Sequence, residues 1–281
     1  MSVVLSYIQA RPLLEMHKRG QTTVLTSLDL GISHTSVTLS TEGVSFATGE
    51  HLDWTSVEKI SQSEVNCYII NDNEMQAIQS FSQATSRLCS LFPTQGAPSM
   101  LIAGFIMHRV KEVDPWQHAQ RMIAAIAPIR GSVLDTTTGL GYTAILAAHE
   151  AHDVTTIELD PSVQTIAQFN PWSQELFINP KITQVMGDAY EVVPPLTSES
   201  FDLIVHDPPT LKLAGLLYSG IFYRELYRVL KRGGRLFHYI GDLNSKTGSG
   251  VMHGAVRRLQ EAGFTRVTRH TEAYGVVAYK K

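Results

Sequence analysis

Residues 133–144 read VLDTTTGLGYTA, and this stretch decides the fold. A short apolar run ends at an acid, Asp135, and the glycines Gly139 and Gly141 follow closely. Ala144 then opens an apolar segment that is typical of a helix. A strand, a tight turn and a helix N-terminus in this order bring backbone N–H groups up to a ligand, and glycine permits close approach and positive φ. The stretch therefore predicts a ligand-binding turn of the Rossmann-like kind.

The rest of the C-terminal part alternates between strand and helix patterns. Short apolar runs predict strands over residues 132–135, 154–158, 182–186, 201–206 and 235–240. Helical patterns occupy the intervals, and residues 264–270 and 275–279 predict a closing antiparallel pair. Alternating strands and helices form a parallel sheet covered on both faces. The predicted fold class is α/β.

The N-terminal part has a different pattern. Residues 1–20 predict a helical lead-in, and short Thr- and Val-rich runs separated by Gly, Asp and Ser then predict hairpins. Pro93–Pro98 breaks the chain, and Asp114 with Pro115 begins a helix. We therefore expect a small, mostly β domain over residues 1–110 and a Rossmann-like domain over residues 111–281. The small domain is expected to be a lid, a substrate selector or the surface of a homodimer.

The bulk composition is that of an ordinary globular protein. The chain has 281 residues, of which 43% are hydrophobic, and its longest apolar stretches are too short to span a bilayer. The N-terminus has no export-signal pattern, so we expect a cytoplasmic protein. The two cysteines are too few for a disulfide framework, and no Cys/His cluster has zinc spacing. We therefore expect no metal site.

The charge distribution argues against a nucleic-acid partner. The net charge is −3; residues 1–110 contain 6 Lys/Arg and 9 Asp/Glu, and residues 111–281 contain 17 of each. A protein that grips a phosphate backbone usually has a basic domain or stripe. The two basic clusters, Arg228–Arg235 and Arg257–Arg269, are interpreted as solvated helix ends. A small-molecule substrate is favoured.

The spacing of the glycines in the turn can be compared with two nucleotide-binding motifs. A dinucleotide-binding turn needs a third glycine at the position of Ala144, which makes NAD a weaker candidate. The run Asp-x-x-x-Gly-x-Gly instead resembles motif I of the class I S-adenosylmethionine-dependent methyltransferases. Glu158 then stands where the acid of this superfamily holds both ribose hydroxyls, and Gly187–Ala189 resembles the loop that meets adenine. Gly233-Gly234, read as a helix C-cap, and the C-terminal strand pair match the family pattern.

The resemblance implies S-adenosyl-L-methionine as cofactor, at the positions Asp135, Thr136, Thr137, Thr138, Gly139, Gly141, Tyr142, Thr143, Glu158, Leu159, Gly187, Asp188, Ala189 and Asp207. Other stretches are similar to an archaeal-type branch of predicted methyltransferases: Thr138–Thr143, Asn170–Ser173, His206–Pro209, Phe222-Tyr223 and Gly234–Tyr239.

Asp207-Pro208-Pro209 resembles the Asp/Asn-Pro-Pro-aromatic motif of enzymes that methylate amino nitrogens. The prolines stiffen the loop, so that a carbonyl and the acid accept N–H groups and aim the nitrogen at the methyl group. Thr210 replaces the aromatic residue that stacks on a flipped base, which favours a small amine. The catalytic candidates are Asp207, Pro208 and His206, the last as a group able to move a proton. The competing interpretation is a structural turn.

Several functions remain open at this level. The first is transfer from S-adenosylmethionine to an amine nitrogen of a small molecule. The second is cyclisation of S-adenosylmethionine by its own α-amino group, giving azetidine-2-carboxylate and methylthioadenosine, which is known on this fold in secondary metabolism. The third is an RNA N-methyltransferase, and the fourth is a non-catalytic binding module. The acids Asp135, Glu158, Asp188 and Asp207 argue against the fourth.

Overall fold

The computed structural model describes residues 2–211, 213–241 and 246–281. The chain divides into two compact units. The first contains Met1–Trp116 and Ser162–Gln174, and the second contains Gln117–Pro161 and Glu175–Lys281. The role of the N-terminal part as lid, substrate selector or dimer surface stays a prediction.

The N-terminal part is mostly β, as the sequence predicts. Its strands are β1 (Val3–Leu5), β2 (Thr23–Thr26), β3 (Thr35–Leu39), β4 (Gly43–Ser45), β5 (His51–Asp53), β6 (Tyr68–Asn71), β7 (Glu74–Ala77), β8 (Gln79–Ser82), β9 (Arg87–Phe92), β10 (Ser99–Ile102) and β11 (Phe105–Ile106). Its helices are α1 (Tyr7–Lys18) and α2 (Trp54–Gln62). The strands form antiparallel sheets in the orders β1-β6-β7, β2-β3-β4-β5 and β11-β10-β9-β8.

The lead-in prediction is wrong for the first residues. Val3–Leu5 forms a strand that pairs with residues 68–70, a partner too distant in sequence for local patterns to reveal. The helix begins only after Ser6, whose side chain accepts the N–H of Ile8, while the Gln9 side chain accepts the N–H of Ser6. This capping box ends the strand and starts α1.

From residue 115 onwards, strands and helices alternate. The helices are α3 (Pro115–Ala125), α4 (Tyr142–Ala148), α5 (Pro161–Phe169), α6 (Gln174–Ile178), α7 (Ala189–Val192), α8 (Gly220–Val229) and α9 (Lys246–Glu261). The strands are β12 (Ser132–Asp135), β13 (Asp153–Glu158), β14 (Ile182–Met186), β15 (Phe201–His206), β16 (Leu230–Tyr239), β17 (Arg266–His270) and β18 (Gly275–Tyr279). Short 3-10 turns occupy Pro171–Ser173, Gly215–Tyr218 and Thr271–Ala273.

These strands form one sheet in the order β14-β13-β12-β15-β16-β18-β17. The pairs from β14 to β16 are parallel, and β18 runs antiparallel to both of its neighbours. The predicted α/β class with a Rossmann-like sheet is confirmed. Because β12 lies between β13 and β15, the chain switches direction there, and open α/β sheets bind ligands at the carboxyl ends of such strands.

The predicted helix C-cap at Gly233-Gly234 is wrong. Helix α8 ends at Val229, and Leu230 is already extended and begins β16. The register between β15 and β16 shifts just after this point, so residues 231–234 form an irregular part of the strand. A Cβ on Gly234 would lie 2.8 Å from the carbonyl oxygen of Asp202, which explains the glycine by close backbone approach.

The core of the second unit lies between the sheet and helices α8 and α9. Leu134, Ile204 and Leu236 from three strands are fully buried with Phe222 and Leu226 of α8. Within the described ranges, every helix is too short or too polar to cross a bilayer. The same ranges contain no group of three or more His, Cys, Asp or Glu side chains placed to bind a metal ion.

Candidate active site

The turn after β12 needs its two glycines for different reasons. Gly139 has φ of +53° and Gly141 has φ of +78°, both in the left-handed region. A Cβ on Gly141 would lie 2.7 Å from Leu176 of α6, so this glycine permits close packing. A Cβ on Gly139 would meet nothing within 4 Å. Gly139 therefore borders open space, where a ligand can approach the backbone.

The three threonines of the turn tie it to neighbouring strands. Their hydroxyls make three contacts of 2.7 Å: Thr136 with Nδ1 of His206, Thr137 with the carbonyl oxygen of Asp207, and Thr138 with the hydroxyl of Thr156. The partners follow or belong to β15 and β13, the two strands that flank β12. The turn is thus held on both sides at the carboxyl edge of the sheet.

Asp135 is a structural anchor of this turn. Its carboxylate accepts the hydroxyls of Thr143 at 2.9 Å and Thr156 at 3.2 Å, and the N–H of Thr137 at 3.4 Å. Only 1% of the residue is exposed. Burial raises the pKa of Asp135 to about 7, and the three hydrogen bonds oppose this increase. Asp135 therefore shapes the turn and the start of α4 from within the protein.

Glu158, at the end of β13, is fixed by two backbone N–H groups. Gly139 donates to Oε2 and Asp160 donates to Oε1, each at 2.9 Å. A carboxylate has about four lone-pair sites, so acceptor capacity remains on both oxygens. Burial raises the pKa of Glu158 to about 7, against the effect of these hydrogen bonds. Leu159, the next residue, is 53% exposed.

The loop after β14 is hydrogen-bonded to Glu158 at the end of β13. The N–H of Gly187 donates to the carbonyl oxygen of Glu158 at 2.8 Å, which sets the loop beside β13. Asp188 caps α7 by accepting the N–H of Tyr190 at 2.9 Å. Ala189 is buried at the start of that helix. The structure thus brings the predicted adenine loop and the predicted ribose acid to adjacent strand ends.

Asp207 follows β15 directly and carries a carboxylate that the fold leaves available. Its carbonyl oxygen is held by Thr137, but no described residue donates a hydrogen bond to its side chain. Burial raises the pKa of Asp207 to about 7, and the nearby Asp135 carboxylate adds to the increase. Pro208 is buried, and Pro209 and Thr210 are exposed.

His206 is fully buried, and both of its ring nitrogens are occupied. Nε2 lies 3.0 Å from the carbonyl oxygen of Leu217, which can only accept, so Nε2 carries the proton and Nδ1 accepts the Thr136 hydroxyl. Burial lowers the pKa of His206 to about 3. The neutral imidazole therefore joins the turn after β12 to the segment that follows Asp207.

A second buried histidine, His238, is hydrogen-bonded to the backbone of His206. Nδ1 of His238 donates to the carbonyl oxygen of His206 at 3.2 Å, and Nε2 accepts the hydroxyl of Tyr223 at 2.7 Å. Burial lowers the pKa of His238 well below its usual value, and His206 acts in the same direction. Both rings are neutral and orient their neighbours.

Two further residues, Thr156 and Arg258, contact this site and are absent from the candidates that the sequence offers. The Thr156 hydroxyl donates to Asp135 and accepts the hydroxyl of Thr138, and a polar residue between Val154 and Ile157 is the signal that could have identified it. The sequence predicts a solvated helix end for Arg258, but its Nε donates to the carbonyl oxygen of Tyr218 at 2.8 Å. That correction has no local sequence signal, because the two residues come from different elements.

Alanine substitutions at Gly139 and Gly233 distinguish the effect of backbone strain on stability from obstruction of ligand binding. Gly139→Ala and Gly233→Ala each place Cβ in open space at positive φ, so each should lower the free energy of unfolding by about 1–2 kcal/mol. Only Gly139→Ala should also weaken S-adenosylhomocysteine binding, by about tenfold or more. Calorimetric titration of both variants measures this. Equal affinities would mean that the turn does not border the ligand.

The three raised acid pKa values predict how stability depends on pH. Burial raises the pKa values of Asp135, Glu158 and Asp207 to about 7 in the folded protein, against about 4 for these groups in an unfolded chain. Between these values the folded state binds more protons, so the free energy of unfolding is highest at the acid end of this window and falls as pH rises through 7. Thermal unfolding should therefore occur at a higher temperature at pH 5.5 than at pH 8. Asp207→Asn removes one of the three titrating groups, so the difference between these two unfolding temperatures should shrink, by roughly 2–4 °C for each kcal/mol of pH-dependent stability that the group contributes. A pH-independent unfolding temperature would contradict this.

Comparisons with known proteins agree with this fold. A family model described as "Methyltransferase domain" matches residues 134–238. An uncharacterized protein from Methanocaldococcus jannaschii is 43% identical over 226 residues, which cover 80% of this chain and 77% of that protein. A polyamine aminopropyltransferase from Aeropyrum pernix is 24% identical over 175 residues, or 59% of this chain and 54% of that enzyme.

A solved structure adds a likeness of fold. The spermidine synthase from Thermotoga maritima aligns with a TM-score of 0.55 at 19% identity, covering 71% of this chain and 70% of that one. The 43% identity shows that this chain and the Methanocaldococcus jannaschii protein belong to one family. The domain match and the sheet order show that the chain is an enzyme of the class I S-adenosylmethionine-dependent methyltransferase superfamily.

Proposed function

We propose that this protein transfers an alkyl group from S-adenosylmethionine to an amine nitrogen of a small molecule. The observation that carries the proposal is the Asp207 carboxylate, which directly follows β15 at the switch point of the sheet and receives no hydrogen bond from any described residue. A desolvated carboxylate of this kind attracts a cation and accepts N–H donors.

The residues present fit the cofactor. Gly139 borders open space at the turn, and Glu158 keeps acceptor capacity on both oxygens for the ribose hydroxyls. Asp188 uses one oxygen as a helix cap and has a second one for the adenine amino group. When bound, S-adenosylmethionine supplies an electrophilic carbon attached to a sulfonium sulfur.

Asp207 prepares the amine for this chemistry. An ordinary aliphatic amine is an ammonium ion at neutral pH, and it must lose a proton before its lone pair can form a bond. Asp207, with a pKa near 7 and Asp135 beside it, attracts the ammonium and takes that proton. The nitrogen then forms the new C–N bond as the C–S bond breaks, and the electron pair of that bond goes to sulfur. Turnover should rise with pH through about 7, as Asp207 loses its proton.

The relatives support a second candidate for the transferred group. One relative is a polyamine aminopropyltransferase, and a structural neighbour is a spermidine synthase. Attack on a different carbon of the sulfonium releases methylthioadenosine, whereas methyl transfer releases S-adenosylhomocysteine. Cyclisation by the α-amino group of S-adenosylmethionine also releases methylthioadenosine, together with azetidine-2-carboxylate and without any second substrate. Asp207 would accept the amine proton in all three reactions.

The deciding experiment measures the products by mass spectrometry. The protein is incubated with S-adenosylmethionine alone, with a panel of mono-, di- and polyamines added, and with decarboxylated S-adenosylmethionine plus the same amines. S-adenosylhomocysteine that forms only with an amine supports methyl transfer, and azetidine-2-carboxylate formed without an acceptor supports cyclisation. Methylthioadenosine that forms only from the decarboxylated donor with an amine supports aminopropyl transfer. If no arm gives product, the small-amine proposal is wrong.

A further inference from the structure

The segment that follows Asp207 is held by four side chains, of which Thr137 and Arg258 come from distant parts of the second unit. The contacts are Thr137 Oγ1 to the carbonyl of Asp207 at 2.7 Å, His206 Nε2 to the carbonyl of Leu217 at 3.0 Å, Tyr218 OH to the carbonyl of Pro209 at 3.2 Å, and Arg258 Nε to the carbonyl of Tyr218 at 2.8 Å. Each contact fixes a backbone carbonyl of residues 207–218. The position of the Asp207 carboxylate depends on these contacts, because it has no hydrogen-bond donor of its own among the described residues.

Arg258 provides the outermost of these contacts. It lies on α9, and its guanidinium reaches the end of the Gly215–Tyr218 turn. Burial raises the pKa of the neighbouring Tyr223 hydroxyl, and the adjacent guanidinium acts in the opposite direction. Arg258 thus lies between the turn and the Tyr223–His238 pair, which is itself bonded to the carbonyl of His206.

Tyr218 transmits this contact to the Asp-Pro-Pro segment. The residue is 4% exposed, and its hydroxyl donates to the carbonyl of Pro209. Pro208 and Pro209 have no backbone N–H, so these two residues supply no amide donor, and the first backbone hydrogen bonds of the segment reach the carbonyl of Thr210. The path from Arg258 to Asp207 is therefore a guanidinium, a buried phenol and a stiff pair of prolines.

We propose that Arg258 is a positioning residue for Asp207, acting through Tyr218 and the carbonyl of Pro209. The proposal rests on the function assigned to Asp207 above. Arg258 itself touches neither substrate nor cofactor in this assignment. The charged and titratable groups that act on Asp207 and its segment are Asp135 on β12, Tyr218 on the turn and the Arg258 guanidinium on the carbonyl of Tyr218. His206 lies directly before Asp207.

The test compares two neighbouring arginines on the same helix. Arg258→Ala removes the contact, whereas Arg257→Ala removes a 73% exposed guanidinium whose described partner is Glu261 at 3.7 Å. The pKa of Asp207 is followed by carbon-13 NMR of aspartate-labelled protein, with Asp207→Asn identifying its signal. In Arg258→Ala, water enters around the loosened segment, so the Asp207 pKa should fall towards its ordinary value of about 4. In Arg257→Ala it should stay at the wild-type value.

The kinetic measurement uses S-adenosylmethionine and the substrate identified by the product analysis. Arg258→Ala should lower kcat by roughly 10- to 100-fold, the scale of a misplaced catalytic group, with little change in the KM for S-adenosylmethionine. Added guanidinium should restore part of the lost kcat. Tyr218→Phe keeps the buried ring but removes the contact with Pro209, so the Asp207 pKa should fall in this variant too. If Arg258→Ala does not fold, Tyr218→Phe tests whether the contact with Pro209 positions Asp207.

The outcomes separate this proposal from the proposed function. If Arg258→Ala folds and keeps the wild-type pKa of Asp207 and the wild-type kcat, Arg258 is not a positioning residue. If Tyr218→Phe alone is measurable and leaves the pKa unchanged, the same conclusion holds. If the wild-type protein turns over no substrate, the proposed function fails, and the NMR titration still shows whether Arg258 positions the carboxyl group.

Discussion

Asp207→Asn should lower turnover by roughly two or more orders of magnitude, the scale of losing a positioned general base or charge stabiliser. The amide keeps the shape of the side chain but cannot take a proton from an ammonium ion, and it presents a donor where an acceptor is needed. The effect should be in kcat. Affinity for S-adenosylhomocysteine should change far less, because Glu158 and Asp188 lie on other strand ends.

The matched control for this variant is Asp202→Asn. Asp202 lies on the same strand, at the opposite end, where its carboxylate accepts the N–H of Ser132 at 2.9 Å and pairs with Lys231 at 2.7 Å. The substitution removes a charge from β15 without touching the site, so turnover should stay near the wild-type level. Full turnover in Asp207→Asn would make the Asp-Pro-Pro segment a structural turn and the site assignment wrong.

Glu158→Ala should weaken binding of S-adenosylhomocysteine by about 1.5–3 kcal/mol, the usual scale for hydrogen bonds to a charged group. Two losses act together here. The acceptor for the ribose hydroxyls disappears, and the N–H groups of Gly139 and Asp160 lose the carboxylate that orients them. Calorimetric titration of the variant measures the change in dissociation constant.

A milder substitution of Glu158 distinguishes the loss of the ribose acceptor from the loss of the backbone hydrogen bonds. Glu158→Gln keeps one acceptor oxygen for a backbone N–H but removes the second, so its dissociation constant should fall between those of the wild type and the alanine variant. Thermal unfolding in the absence of ligand controls for loss of the turn. A dissociation constant that stays at the wild-type value in Glu158→Ala would falsify the placement of the ribose at β13.

The amino-acid pattern by itself determined the class of fold and the order of the functional segments. The apolar runs that end at Asp135, Glu158 and His206 are local signals, and the structure confirms a parallel sheet in which these strands are neighbours. Strand and helix periodicity depends on residues a few positions apart, so it can be read from sequence alone. The acids at the strand ends were site candidates because they match the motifs of the methyltransferase superfamily.

Only the tertiary structure decided what each polar side chain does. Thr136 and His206 are 70 residues apart in sequence, and Arg258 and Tyr218 are 40 apart, yet each pair is hydrogen-bonded. In the fold, both ring nitrogens of His206 are hydrogen-bonded and burial lowers its pKa, whereas the carboxylate of Asp207 has no described hydrogen-bond donor. Hydrogen-bond partners and desolvation depend on which strand ends meet in space, and these two quantities set the pKa values of the site.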